Sequence, residues 1–228
     1  MAVEDYTQPV LPGAGASDYE RYLRTDELLA LQKAPEEMSH RDELLFTTVH
    51  QTSELWLKLA AFEVEEAVGA DLDAALRCLR RAALALRYVT QSLEMLEQMS
   101  PWEYHEFRTQ LGHGSGFDSP GWRALHRLAP ALWRRFEREL GGLGVVELYV
   151  HGREHERLYQ LAEALIELDE RAILWRAHHF KTVERVLGGS VVGTQGTPVE
   201  VLGRMIAERW FPELWEARNE LTRISGAS

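Results

Sequence analysis

The feature that most constrains the fold of this chain is a helical spacing of apolar residues along almost its whole length. Four long stretches, at about residues 39–68, 71–99, 121–140 and 150–187, are rich in Leu, Ala, Glu and Arg. They place apolar side chains three and four residues apart, and no stretch shows the two-residue alternation of a strand. We therefore predict an all-α fold, a single-domain helical bundle with little or no strand.

The limits of the predicted domain follow from a helix-start signal near the N-terminus. Ser17 and Glu20 have the spacing of a capping box. The residues before them contain two prolines among Gly and Ala and have little apolar surface to bury. We expect a flexible arm at residues 1–16 and one helical domain at residues 17–228.

The net charge and the cysteine content limit which binding partners and which cellular compartment we expect for this protein. The formal net charge is -11, and the 25 basic residues are interleaved with 36 acidic ones, which argues against a nucleic-acid partner. Cys78 is the single cysteine, which excludes an internal disulfide and a thiolate-rich metal or iron–sulfur site. No secretory signal or membrane-length apolar stretch is seen. We expect a cytoplasmic protein with a small-molecule or protein partner.

Two stretches interrupt the helical pattern. Residues 111–121 (LGHGSGFDSPG) and 188–198 (GGSVVGTQGTP) are rich in Gly, Ser and Thr, which helices avoid and backbone-lined binding loops use. We predict that a ligand meets main-chain amides there.

Helical geometry separates two adjacent histidines in the last long stretch. His179 falls on an apolar stripe, whereas His178 is rotated about 100° from it. The other members of the stripe are Leu165, Leu168, Ala172, Trp175 and Thr182/Val183. From spacing alone, a hydrogen-bonded core residue is the favoured interpretation of His179. The functional alternative is an axial haem ligand, because a neutral imidazole on a rigid helix is the usual proximal donor for oxygen chemistry.

A second histidine, His50, lies in a stretch that is apolar on two sides and is therefore expected at the centre of the bundle. Spacing alone favours a structural hydrogen bond there over a functional role. A carboxylate-bridged di-iron centre needs Glu-x-x-His pairs on two helices, and the chain does not supply two. His151 and His155 are four residues apart, but charged neighbours favour a solvated face.

Several segments taken together resemble the tryptophan 2,3-dioxygenase family. They follow the family order and cover most of the chain, and the HQTSELW and FKTVER blocks are the most specific. The segments are YERYLRTDELLALQ at 19–32, DELLFTTVHQTSELWLK at 42–58, YHEFRTQLGHGSGFDS at 104–119, LWRAHHFKTVERVLG at 174–188, GTQGT at 193–197 and FPELWEAR at 211–218.

The resemblance implies a role for individual residues around a b-type haem. His179 corresponds to the proximal ligand of the haem iron, with Trp175 as a further cofactor-binding residue. His50 corresponds to the distal histidine that contacts the indole N–H, and Ser115 to a distal-loop residue near the oxygen-binding side; these two are the predicted catalytic residues. The predicted substrate-binding residues are Phe46, His50, Tyr104, Arg108, Thr194, Tyr19 and Tyr22.

Within that set, Phe46 is expected to form an apolar wall. Tyr104 and Arg108 are expected to hold the substrate carboxylate, for which a guanidinium fork is well suited. Thr194 is expected to hold the amino-acid head group. In the family, the residues corresponding to Tyr19 and Tyr22 enter a neighbouring subunit's pocket, which implies a homotetramer.

The implied activity is oxidation of the indole C2–C3 bond of L-tryptophan, or a close indole analogue, by O2 to give N-formylkynurenine, the first product of tryptophan catabolism by the kynurenine route. Asp118, Pro120 and Gln195 depart from the family pattern in the two loops. They motivate one alternative, a haem-dependent aromatic amino-acid hydroxylase or monooxygenase of the same superfamily. An alternative of another class is a helical binding protein without turnover.

Overall fold

The computed structural model describes residues 8–190, 192, 196 and 198–226. Across these residues the chain is helical, without any strand of a sheet, and an isolated bridge joins Val192 to Pro198. This confirms the all-α prediction. The α-helices are α1 (Asp18–Leu23), α2 (Thr25–Leu29), α3 (Asp42–Gly69), α4 (Leu72–Leu96), α5 (Pro101–Arg108), α6 (Pro120–Leu140), α7 (Val145–Val150), α8 (Glu156–Leu187), α9 (Val199–Met205) and α10 (Pro212–Ile224).

Four long helices form the body of the bundle. The short connection between α3 and α4 makes them neighbours, α6 packs on α3, and α8 packs on α4. Their facing sides bury a continuous apolar core, as the helical spacing in the sequence predicts. Its largest fully buried members include Leu57, Leu79, Leu86, Leu125, Phe136 and Leu165.

Some helix boundaries differ from the sequence-based expectation. The predicted capping box at the first helix is confirmed, because Ser17 accepts from Glu20 N and Glu20 accepts from Ser17 N. The stretch expected as one helix from residue 150 is divided instead, since residues 151–155 form a turn before α8. Pro130 lies inside α6 without ending it.

The N-terminal segment is tied to α1 where it is described. The Asp18 carboxylate accepts the backbone N–H groups of Val10 at 2.9 Å and Leu11 at 2.7 Å. Residues 1–7 lie outside the described part of the chain. The predicted division into an arm at 1–16 and a domain at 17–228 stays a prediction.

A buried carboxylate fixes the last helix against α8. Asp169 is fully buried and accepts the backbone N–H groups of Trp210 at 3.0 Å and Phe211 at 3.2 Å, and the indole N–H of Trp215 at 2.9 Å. These bonds satisfy a charge that would otherwise be costly to bury. They also fix Trp210, whose side chain reaches the cavity described below. Among the described residues, no helix is long and apolar enough to cross a membrane.

Candidate functional site

A cavity of about 980 Å³ lies between helices α3, α5, α6, α8 and α9. Its volume is at the upper end of the roughly 300–1,000 Å³ typical of small-molecule sites. Apolar side chains form most of the wall, including Phe46, Leu96, Met99, Leu111, Phe117, Trp122, Trp175, Val183, Val186, Leu202 and Trp210. The cavity therefore suits a large, mainly apolar ligand.

His179 contributes the imidazole of the α8 wall. Burial, with a smaller contribution from nearby His50, lowers the pKa of His179 to about 4, so its ring is neutral at physiological pH and keeps a nitrogen lone pair. The Trp175 ring lies one turn earlier and stacks on it, with centroids 4.8 Å apart and planes 5° apart. His178 does not line the cavity, and its Nε2 is hydrogen-bonded to the Glu97 carboxylate at 2.8 Å.

His50 lines the cavity from α3. Its Nδ1–H donates to the Phe46 carbonyl at 2.7 Å, and its ring stacks on the Phe46 ring with centroids 4.0 Å apart. Burial lowers the pKa of His50, although the bond to Phe46 and the charge of Glu54 oppose this shift. In the neutral ring the proton is on Nδ1, and Nε2 is a hydrogen-bond acceptor.

Helix α5 brings a tyrosine and an arginine to the same cavity. Tyr104 and Arg108 are four residues apart and share one face of the helix. Burial raises the pKa of Tyr104, and the Arg108 charge partly offsets this. One guanidinium nitrogen of Arg108, Nη2, donates to the Val192 carbonyl at 2.8 Å. The arginine therefore connects α5 to the second Gly-rich loop.

The first Gly-rich loop forms another side of the cavity. Gly114, Ser115, Gly116, Phe117 and Ser119 all line it. A Cβ placed on Gly116 would lie 4.0 Å from Cε1 of His179, so this loop passes close to the α8 histidine.

Ser115 and Asp118 in this loop, and Pro120 directly after it, have local structural roles. Ser115 accepts from the Phe117 N–H at 3.4 Å, while the Asp118 carboxylate accepts from the Ser115 N–H at 3.2 Å. The two residues thus cap the short 3-10 helix at 116–118. Pro120, one of the residues that depart from the family pattern, begins α6 at the first helical position, where the missing N–H has no cost.

The structure brings most of the predicted site residues together. Phe46, His50, Tyr104, Arg108, Ser115, Trp175 and His179 all line the one cavity. Tyr19 and Tyr22 are exposed on α1 and do not line it. Thr194 and Gln195 lie outside the described residues, so their predicted positions stay predictions.

Sequence reasoning missed a group of charged residues in the cavity wall. Glu54 lies four residues after His50 on α3, and Arg123 and Arg127 are four residues apart on α6. Arg176 precedes His179 by three residues and donates to the Met205 carbonyl at 3.1 Å. The sequence did contain a signal for these residues. Residues three or four apart share one face of a helix, so Glu54 lies on the same face as His50, Arg176 on the same face as His179, and Arg123 on the same face as Arg127.

The side chains in the cavity suit a metal that is already bound in a cofactor better than they suit a bare ion. Among the described residues, no group of three or more His, Cys, Asp or Glu side chains could hold a bare ion. A neutral imidazole in the wall of a large apolar cavity instead fits a haem, which needs one nitrogen donor from the protein and an apolar enclosure. The cationic side chains of Arg123, Arg127 and Arg176 in the wall suit the two carboxylates of a haem.

The fold and the cavity thus define a class, helical proteins with a large apolar cavity beside a neutral histidine. The particular family follows from comparison with known sequences. The profile of the tryptophan 2,3-dioxygenase family matches residues 4–133. Tryptophan 2,3-dioxygenases from Caulobacter vibrioides and Myxococcus xanthus are each 34% identical to the chain. This chain belongs to the tryptophan 2,3-dioxygenase family.

The alignments cover most of this chain and most of each relative. The Caulobacter alignment covers 89% of this chain and 98% of the relative, and the Myxococcus alignment covers 92% and 91%. A third tryptophan 2,3-dioxygenase, from Bacillus anthracis, is 32% identical over 89% of this chain and 92% of its own length. The Caulobacter alignment is 261 positions long, more than the 228 residues of the chain, so that relative has extra residues opposite gaps here.

Proposed function

We propose that this chain is a haem-dependent dioxygenase that inserts both atoms of O2 across the indole C2–C3 bond of L-tryptophan, or of a close indole analogue, to give N-formylkynurenine. The observation that carries the proposal is a single apolar cavity in which neutral His179 on α8, His50 on α3 and the Tyr104–Arg108 pair on α5 meet. The family membership supports the same reaction.

In this proposal, His179 would hold the iron of a b-type haem. Its pKa of about 4 leaves the imidazole free to donate to iron over the physiological pH range. Trp175 stacks on the ring and holds its plane. When bound, the haem supplies the oxygen chemistry, for which O2 is the co-substrate. The protein binds and orients the substrate and excludes water.

The substrate's carboxylate binds at the α5 side of the cavity. The remaining N–H groups of Arg108 and the Tyr104 hydroxyl provide donors for it, and a guanidinium in an apolar wall binds a carboxylate more strongly than one in water does. Thr194 is proposed to hold the amino-acid head group.

The indole ring binds near Phe46 and His50. Phe46 supplies an aromatic wall, and its ring also contacts Tyr104 with centroids 6.1 Å apart. Because the Nδ1 proton of His50 is committed to the Phe46 carbonyl, Nε2 can accept the indole N–H. His50 orients the substrate by this bond and does not need to remove the proton, since the indole N–H is a very weak acid. Ser115 is proposed to act on the oxygen-binding side.

We further propose that the chain acts as a homotetramer. The side chains of Tyr19 and Tyr22 are 69% and 77% exposed although both are large and aromatic. A strip on α3 also leaves apolar side chains exposed, namely Leu55, Trp56, Leu59 and Phe62. Packing against another copy would bury this strip and would bring the α1 tyrosines to a neighbouring cavity. A cytoplasmic location is part of the proposal.

The test is a pair of measurements on the purified protein. Ferric and ferrous visible spectra, with and without tryptophan, should show a haem band that shifts with the substrate. Reduced protein incubated with tryptophan and O2 should yield N-formylkynurenine. A hydroxylated aromatic product without ring cleavage would refute dioxygenation in favour of the monooxygenase alternative. Purification without a haem band, and a His179→Ala variant identical to the parent, would favour a binding protein without turnover.

A further inference from the structure

Glu54 presents a carboxylate to the apolar cavity, and both of its oxygens are bonded to the start of α6. Oε1 accepts the Ser119 hydroxyl, and Oε2 accepts the Gly121 N–H at 3.0 Å. Ser119 is also the N-cap of α6, because its Oγ accepts the Trp122 N–H at 3.2 Å. The positive end of the helix dipole favours the negative charge at this place. These bonds join α3 to α6 across the cavity wall.

The start of α6 is continuous with the loop that carries Ser115. The Ser119 N–H donates to the Gly116 carbonyl at 3.2 Å, and Ser115 caps the short helix that includes Gly116. A series of hydrogen bonds therefore runs from Glu54 through Ser119 to the loop. Because Gly116 lies close to His179, a shift of the loop changes the space above that histidine.

We propose that Glu54 is a positioning residue, which holds the loop at residues 114–119 in place by binding the Ser119 hydroxyl and the Gly121 N–H. The proposal rests on the proposed function, since the loop forms the oxygen-binding side of that site. Glu54 also lies one helical turn after His50, so the same stretch of α3 sets both the loop and the acceptor for the indole N–H. Glu54 acts through these groups and does not itself react.

The first experiment compares Glu54→Ala, Glu54→Gln and Ser119→Ala with the parent. Glu54→Ala should lower kcat/KM for tryptophan by about 10- to 100-fold, mainly through kcat, because a small misplacement of positioning groups is costly in the transition state. Glu54→Gln keeps one acceptor oxygen and should recover part of the loss. Glu65→Ala, an exposed glutamate on the same helix, is the matched control and should behave like the parent.

Two further readouts separate positioning from simple destabilisation. The C–O stretching frequency of the ferrous CO complex reports the surroundings above the iron, and it should change in Glu54→Ala but not in Glu65→Ala. In a double-mutant cycle, Glu54→Ala should have a smaller effect on kcat/KM in the Ser119→Ala background than in the parent, since the two groups act as a unit. Additive effects, or an unchanged CO band and kcat/KM in Glu54→Ala, would overturn the proposal.

A final measurement does not depend on turnover. Amide hydrogen exchange at residues 114–124 should be faster in Glu54→Ala than in the parent, and unchanged in Glu65→Ala. A parent protein that forms no N-formylkynurenine would refute the proposed function. The role of Glu54 would then be decided by the exchange rates and the CO band, where equal values in variant and parent refute it.

Discussion

Replacement of Gly121 by alanine tests the close approach of α3 and α6 that builds one wall of the cavity. Gly121 is the second residue of α6 and is buried against α3. An added Cβ would lie 2.4 Å from the Leu57 Cβ and 3.0 Å from the Glu54 Oε2. The first distance is far below a van der Waals contact, so the two helix backbones must move apart in Gly121→Ala.

The sign of the stability change distinguishes packing from helix propensity. Alanine in place of glycine inside a helix usually stabilises by up to about 1 kcal/mol. Overpacking of a tight interface costs about 1–3 kcal/mol. Because the contact involves the base of a side chain on α3, we expect overpacking to dominate, with a net loss of about 1–2 kcal/mol.

Urea unfolding of the parent and the variant, at equal haem content, measures this difference. The urea midpoint should fall with an unchanged slope, and Tm should fall by about 2–4 °C per kcal/mol for a chain of this size. Gly69→Ala is the matched control, since Gly69 ends α3 and an added Cβ meets nothing within 4 Å. Its stability should be equal to or slightly above that of the parent. A Gly121→Ala protein as stable as Gly69→Ala would refute the close approach.

Three further predictions concern the site and its support. His179→Ala should lose the haem absorption band while His178→Ala keeps it, measured as the ratio of haem to protein; the reverse pattern would contradict the assignment of the ligand. Arg108→Leu should raise KM for tryptophan by about 10- to 100-fold, from the 1.5–3 kcal/mol of a charged hydrogen bond, and an unchanged KM in steady-state kinetics would remove Arg108 from the carboxylate site. Burial raises the pKa of Glu43, but hydrogen bonds from Lys33 and Ser39 outweigh it and lower the pKa to about 2. The ionised carboxylate therefore stabilises the fold above about pH 4.5, and this contribution is lost as the pH falls towards 2. Glu43→Gln lacks this contribution, so the difference in urea midpoint between parent and variant should be smaller at about pH 3 than at about pH 6. An equal difference at the two pH values would contradict the stabilising role of the Glu43 carboxylate.

The local spacing of apolar residues was sufficient to predict the helices and the different helix faces on which His178 and His179 lie. A helix repeats every 3.6 residues whatever packs against it, so His179 and His178 must point in different directions. The structure places His179 in the cavity and pairs His178 with Glu97. The resemblance to the family supplied what spacing could not, namely a haem and an indole substrate as the ligands expected there.

Local rules were less successful at helix boundaries and loops. The turn at residues 151–155 was predicted as helix, because its residues carry no proline and continue the charged pattern. Gly152 comes close to the Tyr159 ring, where an added Cβ would lie 3.0 Å from it. Such a contact depends on how the turn folds back and is invisible to a periodicity count.

The sequence by itself determined the fold class, the helical faces and the family. Only the tertiary structure joined Glu54 to Ser119 and Gly121, which are 65 and 67 residues away, and Arg108 to Val192, which is 84 residues away. A helix sets the relation of residues three or four apart through its own backbone hydrogen bonds. Contacts between distant residues depend on which helix faces pack together, and many apolar faces in this chain are interchangeable by spacing alone.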